Sequence, residues 1–196
     1  MSVSLNLTAA QATGGAGADT LSNFENLTGS AFNDTLTGNA GANILTGGAG
    51  DDVLKGLAGA DVLDGGDGSD TLDYSNSASG VHVEIWGSHV AEGGDAAGDT
   101  FTNIESVTGS AFNDTLAGNS GANVLTGNAG DDILVAGEAD DILRGGDGND
   151  LLVGDTGGDV LDGGAGTDTA SYYRSSVGDR RADRAMPKEC RRSQIP

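Results

Sequence analysis

The chain has 196 residues, of which 35 are glycine and only 4% are aromatic, and its formal net charge is −21. So little aromatic and so much glycine exclude a conventional globular core, but suit a solenoid built on a single ladder of aliphatic side chains. Charge is unevenly spread: before position 174, 27 acidic residues face only Lys55 and Arg144, which excludes nucleic-acid binding by that body.

The chain opens with an alternating stretch in which Val3 and Leu5 fall on one side of a short strand. A Gly/Ala-rich loop follows, and then the phrase D-T-L-S-N-F-E-N-L-T-G-S-A-F-N-D from Asp19 to Asp34. It returns between Asp99 and Asp114 as D-T-F-T-N-I-E-S-V-T-G-S-A-F-N-D, an offset of 80 that also sets Val3 and Leu5 against Val83 and Ile85. A duplicated module results, spanning 1–80 and 81–173.

Each module continues into an array of nine-residue phrases. Gly145-Gly146-Asp147-Gly148-Asn149-Asp150-Leu151-Leu152-Val153 is the clearest, with the form G-G-x-G-x-D-x-U-x, U being a large aliphatic residue. Glycines at positions one, two and four permit positive φ and close backbone approach, so six residues can make a tight turn. Residues seven to nine then alternate out, in, out, and only position eight faces a core. The first array (29–73) starts its repeats at Gly29, Gly38, Gly47, Gly56 and Gly65, with Leu36, Leu45, Leu54, Leu63 and Leu72 inward. The second (109–171) starts at Gly109, Gly118, Gly127, Ala136, Gly145, Gly154 and Gly163. Its inward residues are Leu116, Leu125, Leu134, Leu143, Leu152, Leu161 and Ala170.

Between the arrays, Val81-His82-Val83-Glu84-Ile85-Trp86 alternates as a half-buried strand does, and is expected to cap the first array and lead into the second. After Tyr172 the composition turns basic. The segment 174–196 lacks strand pattern and period, which predicts disorder. Cys190, the single cysteine, permits no internal disulfide. No apolar run reaches transmembrane length, and Met1-Ser2-Val3-Ser4 lacks the features of a cleavable signal peptide.

These nonapeptides resemble the RTX, or hemolysin-type, calcium-binding repeat family. The resemblance implies an all-β fold, a right-handed parallel β-roll in which two nonapeptides complete one flattened coil. Coils stack as parallel strands ~4.8 Å apart, here as two arrays with capping strands. Turns of repeats i and i+2 then lie one above the other, and carbonyls with an Asp carboxylate surround Ca²⁺, a hard cation that takes oxygen ligands. Several ions are expected. One leucine per nine residues returns little against the entropy of ordering them, and stacked aspartates repel, so the array is expected to fold on binding calcium. The family also implies a secreted, extracellular protein, exported by a type I-like route that reads an uncleaved C-terminal signal.

The resemblance assigns the ligands to glycine turns and position-six aspartates. In the first array these are Asp34, then Gly47, Gly48, Gly50 and Asp52, then Asp61, then Gly65, Gly66, Gly68 and Asp70. In the second they are Asp114, then Gly127, Gly130 and Asp132, then Asp141. Gly145, Gly146, Gly148 and Asp150 follow, with Asp159, and finally Gly163, Gly164, Gly166 and Asp168. Stacking by twos predicts the edges Asp34–Asp52–Asp70 and Asn43–Asp61, then Asp114–Asp132–Asp150–Asp168 and Asn123–Asp141–Asp159. The strongest sites are expected along 52–70 and 132–150–168. Phe32, Phe112, Leu57, Ala136 and Ala139 interrupt the glycine pattern elsewhere, and Asn43 and Asn123 give up a charge. Asp51, Asp131 and Asp140, at position five, are expected to be solvated.

No H-E-x-x-H or G-x-S-x-G element occurs, and His82 and His89 stand apart, so no catalytic or zinc role is expected. The leading reading is a non-enzymatic calcium-binding β-roll with a structural and secretion role. The alternative is the C-terminal fragment of an exoenzyme, since the family appends such rolls to metalloproteases, lipases and alginate epimerases. Outward residues Ile133, Val135, Leu151 and Val153 are expected to form an apolar patch for a protein partner or self-association.

Overall fold

The computed structural model describes residues 1–13, 17–87 and 90–172; His89 and the basic segment 174–196 lie outside them. The chain forms β1 (Ser2–Ser4), a small hairpin of β2 (Gln11–Ala12) and β3 (Ala18–Asp19), and β4 (Asn26–Thr28). The first array supplies β5 (Thr35–Thr37), β6 (Ile44–Ala49), β7 (Val53–Lys55), β8 (Val62–Asp67) and β9 (Thr71–Asp73). The connection carries β10 (His82–Glu84), one 3₁₀ turn (Gly94–Ala96), β11 (Thr100–Thr102) and β12 (Ser106–Thr108). The second array supplies β13 (Thr115–Ala117), β14 (Val124–Ala129), β15 (Ile133–Glu138), β16 (Ile142–Asp147), β17 (Leu151–Thr156), β18 (Val160–Ala165) and β19 (Thr169–Ala170).

Apart from the hairpin, all these strands pair in parallel, each with the strand one full coil away. The result is an all-β parallel solenoid. One wall is an eight-stranded sheet, β1-β5-β7-β9-β12-β14-β16-β18. The opposite wall is two sheets, β11-β8-β6-β4 against the first array and β10-β13-β15-β17-β19 against the second. Position eight points inward throughout. Val3, Leu36, Leu54, Leu72, Val107, Leu125 and Leu143 make one buried ladder through both arrays. At the far end of the described residues Leu161 is half-buried and Ala170 exposed, with β18 and β19 the last described strands of their sheets.

The connecting segment departs from expectation. The strand at 82–84 does not cap the first array; it lies on β13 and opens the wall of the second. The first array is continued by β11 on β8 and β12 on β9, with Phe101 meeting Leu63 and Val107 meeting Leu72. The expected apolar patch is also largely hidden. Ile133 pairs with Leu151 and Val135 with Val153, but the first three are half-buried and Val153 is only 1% exposed. In-register neighbours cover one another's flanks, and the chain runs on beside Val153 at Ser171. The more exposed aliphatic pair lies in the first array, Ile44 (47%) against Val62 (48%) on β6 and β8.

Candidate metal centre

The turn glycines let successive coils sit directly on one another. Gly146 (φ 118°) and Gly148 (φ 146°) occupy the left-handed region, and a Cβ at either would strike the backbone of the turn beneath, at Asn128 and Gly130. Leu57 (φ 66°) and Ala139 (φ 76°) take the same conformation without being glycine, at about 1–2 kcal/mol each.

The position-six side chains stack as expected. Asp52 N–H donates to Asp70 Oδ1 at 2.8 Å, Asp132 N–H to Asp150 Oδ1 at 2.9 Å and Asp150 N–H to Asp168 Oδ1 at 3.0 Å. On the other edge Asn43 N–H donates to Asp61 Oδ1 at 2.7 Å and Asp141 N–H to Asp159 Oδ1 at 3.1 Å. One oxygen of each carboxylate is thereby fixed. The other is not: Oδ2 of Asp52, Asp61, Asp70, Asp132, Asp141 and Asp150 is buried and has no hydrogen-bond partner. A native fold does not leave such atoms without cause.

Five of the six orphaned oxygens, all but that of Asp141, are aimed at the first glycine of their own turn. In three of these turns a glycine carbonyl of the next nonapeptide turn converges on the same spot. A Cβ built on Gly47 would meet Asp52 Oδ2 and Gly65 O; on Gly127, Asp132 Oδ2 and Gly145 O; on Gly145, Asp150 Oδ2 and Gly163 O. Absence of a side chain thus leaves an oxygen-lined cradle. At Gly56 the nearest atoms all belong to Asp61, and the Asp141 turn carries the Ala136 methyl at its first position. Asp159 and Asp168, in the last coil of each edge, are partly exposed.

The opening repeats of both arrays are built differently. Ser30 N–H donates to Asp34 Oδ2, and Ser110 N–H to Asp114 Oδ2 at 2.6 Å, while the serine hydroxyls accept from Phe32 and Phe112 N–H. Oδ1 of Asp34 accepts from the Met1 nitrogen, and Oδ1 of Asp114 from Val81 N–H at 2.7 Å. Both oxygens of Asp34 and Asp114, expected among the ligands, thus already accept hydrogen bonds from protein, although Gly47 O and Gly127 O approach Gly29 and Gly109 beside them as in the other turns. Asn43 and Asn123 have a similar logic. Their Oδ1 accepts from Asn39 and Asn119 N–H, while Nδ2 donates to Glu25 O and Glu105 O, both at 3.0 Å. A carboxylate could not make that second bond.

Two features escaped the sequence reading. Position five carries a second ladder running the opposite way: Asp51 N–H donates back to Asn33 Oδ1, Ser69 N–H to Asp51 Oδ1, and Asn149 N–H to Asp131 Oδ1. Asp51 and Asp131, although exposed, are thus stacking residues; the recurrent Asn or Asp at that position was the available signal. At the connection, the position-six ladder is continued by Asp99 Oδ1, which accepts from Asp61 N–H at 2.8 Å, and by Glu105 Oε2, which accepts from Asp70 N–H at 2.9 Å. Tyr74 Oη also donates to Asp99 Oδ2 at 2.9 Å.

Burial, with the neighbouring charges of Asp114, Asp150 and Asp131, pushes Asp132 up to about 7. Burial and the charges of Asp159 and Asp140 push Asp141 up to about 6. Burial also raises Asp52, Asp70 and Asp150. Such sites hold negative charge poorly unless a cation accompanies it. Among the described residues no three His, Cys, Asp or Glu side chains converge, so each cradle offers a carboxylate and main-chain carbonyls. An all-oxygen donor set fits calcium. His82 is elsewhere, its Nε2 3.0 Å from Glu84 Oε1, a bond that raises its pKa.

The family model of the RTX calcium-binding nonapeptide repeat matches in four copies, over residues 13–54, 46–76, 108–143 and 135–170. The chain belongs to this RTX repeat family. A search of curated proteins found no match. RTX repeats are structural calcium-binding elements typical of secreted proteins, and no catalytic domain is evident among the described residues. No helix among them is long and apolar enough to cross a membrane.

Proposed function

We propose that this chain is a non-enzymatic module of a secreted protein that folds when it binds calcium outside the cell. The observation that carries the reading is the set of six buried, unpartnered carboxylate oxygens, three of them facing a glycine carbonyl of the next nonapeptide turn across a glycine. Asp52, Asp132 and Asp150 would hold the ion with Gly65, Gly145 and Gly163 carbonyls. Bound calcium supplies the positive charge that stacked carboxylates and inward carbonyl dipoles otherwise lack. The turns orient these oxygens, and the leucine ladder excludes water beside them. Without the cation, burial and like-charge repulsion oppose stacking, and one apolar residue per turn is a thin counterweight. Affinity on the order of 10⁻⁴–10⁻³ M, as in extracellular modules, would leave the chain unfolded before export and folded after it.

The test is a calcium titration of the full chain followed by far-ultraviolet circular dichroism. A strand spectrum that grows with calcium and vanishes in EDTA is the expected outcome. A strand spectrum unchanged by EDTA would refute the reading.

A further inference from the structure

The cradle motif recurs once where it should not, at the connection between the arrays. A Cβ on Gly65 would meet Asp70 Oδ2 and the carbonyl oxygen of Asn103. Gly47 meets Asp52 Oδ2 and Gly65 O in the same way, yet Asn103 belongs to no nonapeptide. Asp70 is fully buried and its Oδ2 has no partner. Glu105 takes the part of the next position-six aspartate, accepting Asp70 N–H through Oε2.

Local chemistry holds this short substitute turn in place. Asn103 is left-handed (φ 55°), a conformation asparagine tolerates. Its Nδ2 donates to Asp64 Oδ1 at 2.8 Å on β8. Glu105 is stapled on both sides: Ser106 N–H donates to Asp70 O at 2.9 Å, and Asn123 Nδ2 donates to Glu105 O. Two buried or half-buried carboxylates, Asp70 and Glu105, are thus brought together with a carbonyl and no cationic side chain; Glu105 is one of the charges that add to burial in raising Asp70. The opposite edge is a built-in contrast. There Asp99 uses both oxygens on Asp61 N–H and Tyr74 Oη, and the atoms nearest the open side of Gly56 all belong to Asp61.

We infer that Asp70, the last position-six aspartate of the first array, forms a further calcium site with the Asn103 carbonyl and Glu105, both outside the repeats, which joins the end of the first array to the start of the second. It rests on the calcium-binding reading above. Glu25, the counterpart of Glu105 in the first module, is exposed and precedes the first position-six aspartate, so among the described residues the site occurs where one array meets the next.

The test counts bound calcium by native mass spectrometry in the full chain and in Glu105→Gln, Asp70→Asn and the double variant. Both substitutions keep an oxygen acceptor for the backbone N–H, so the strand spectrum in saturating calcium is expected to persist. Glu92→Gln, an exposed change in the connecting loop, controls for lost charge. Each single variant is expected to bind one ion fewer than wild type, the double variant no fewer than either, and Glu92→Gln the full number. Unchanged counts in both single variants, or a double variant that loses two ions, would overturn the junction site while leaving the array sites standing. A wild type that binds no calcium would overturn both readings.

Discussion

A methyl group is the smallest change that can close one of these cradles, and the chain already contains the experiment. Ala136 occupies the first position of its turn with 0% exposure, whereas the equivalent Gly127 and Gly145 leave room between a carboxylate oxygen and a carbonyl. Gly145→Ala should therefore place a methyl against Asp150 Oδ2 and Gly163 O, and raise the calcium concentration needed for half-folding several-fold. Ala136→Gly should act in the opposite direction by clearing the Asp141 turn. A calcium titration of both variants decides it; equal midpoints would mean the space at position one is irrelevant. Asn43 and Asn123 make the same point from the other side. They look like weakened aspartates, but each supplies an amide donor to a carbonyl that a carboxylate would repel.

At the scale of the strand, in-register parallel stacking changes what counts as outside. A position-nine valine stands next to another position-nine residue above and below, so only its tip meets water. Val153 goes further and is 1% exposed, while its partner Val135 remains half-buried. Placing a lysine at 153 forces an ammonium into a buried site beside Val135, and is expected to cost about 3 kcal/mol. Val135→Lys, whose chain can reach solvent along the sheet, should cost about 1 kcal/mol or less. Urea midpoints in saturating calcium compare the two. Similar losses would show that the burial of Val153 is not what matters.

Across the whole molecule, the stacked carboxylates link stability to both calcium and protons. Raised folded-state values, about 7 for Asp132 and about 6 for Asp141 against an unfolded value near 3.8, mean that the folded chain holds more protons than the unfolded one in between. Their contribution is present below pH ~4 and is lost as pH rises through ~6–7. In EDTA, strand content should accordingly be greater at pH 5 than at pH 8. With calcium present the dependence reverses, because protons and the cation compete for the same oxygens, and the calcium midpoint should rise as pH falls below 7. Circular dichroism at the two pH values, with and without EDTA, tests the sign. Greater order at pH 8 in EDTA would contradict it.

The period of nine, the inward leucines and the pairing of repeats two apart were legible in the sequence, because each is a local rule repeated often enough to be unambiguous. So was the stacking along 52–70 and 132–150–168, where glycine and aspartate coincide. What the sequence could not decide is which oxygens are already satisfied. Asp34 and Asp114 resemble Asp52 and Asp132 in position, but Ser30 and Ser110 close their turns, and Met1 and Val81 take their remaining oxygens. Glu25 and Glu105 occupy corresponding positions of the duplicated phrase, yet it is Glu105 that accepts the N–H of an aspartate in the coil beneath. Likewise 82–84 has the pattern of a cap, and only the stacking order places it on β13. Hydrogen-bond satisfaction depends on the coil above and the coil below, and those neighbours are set by tertiary stacking.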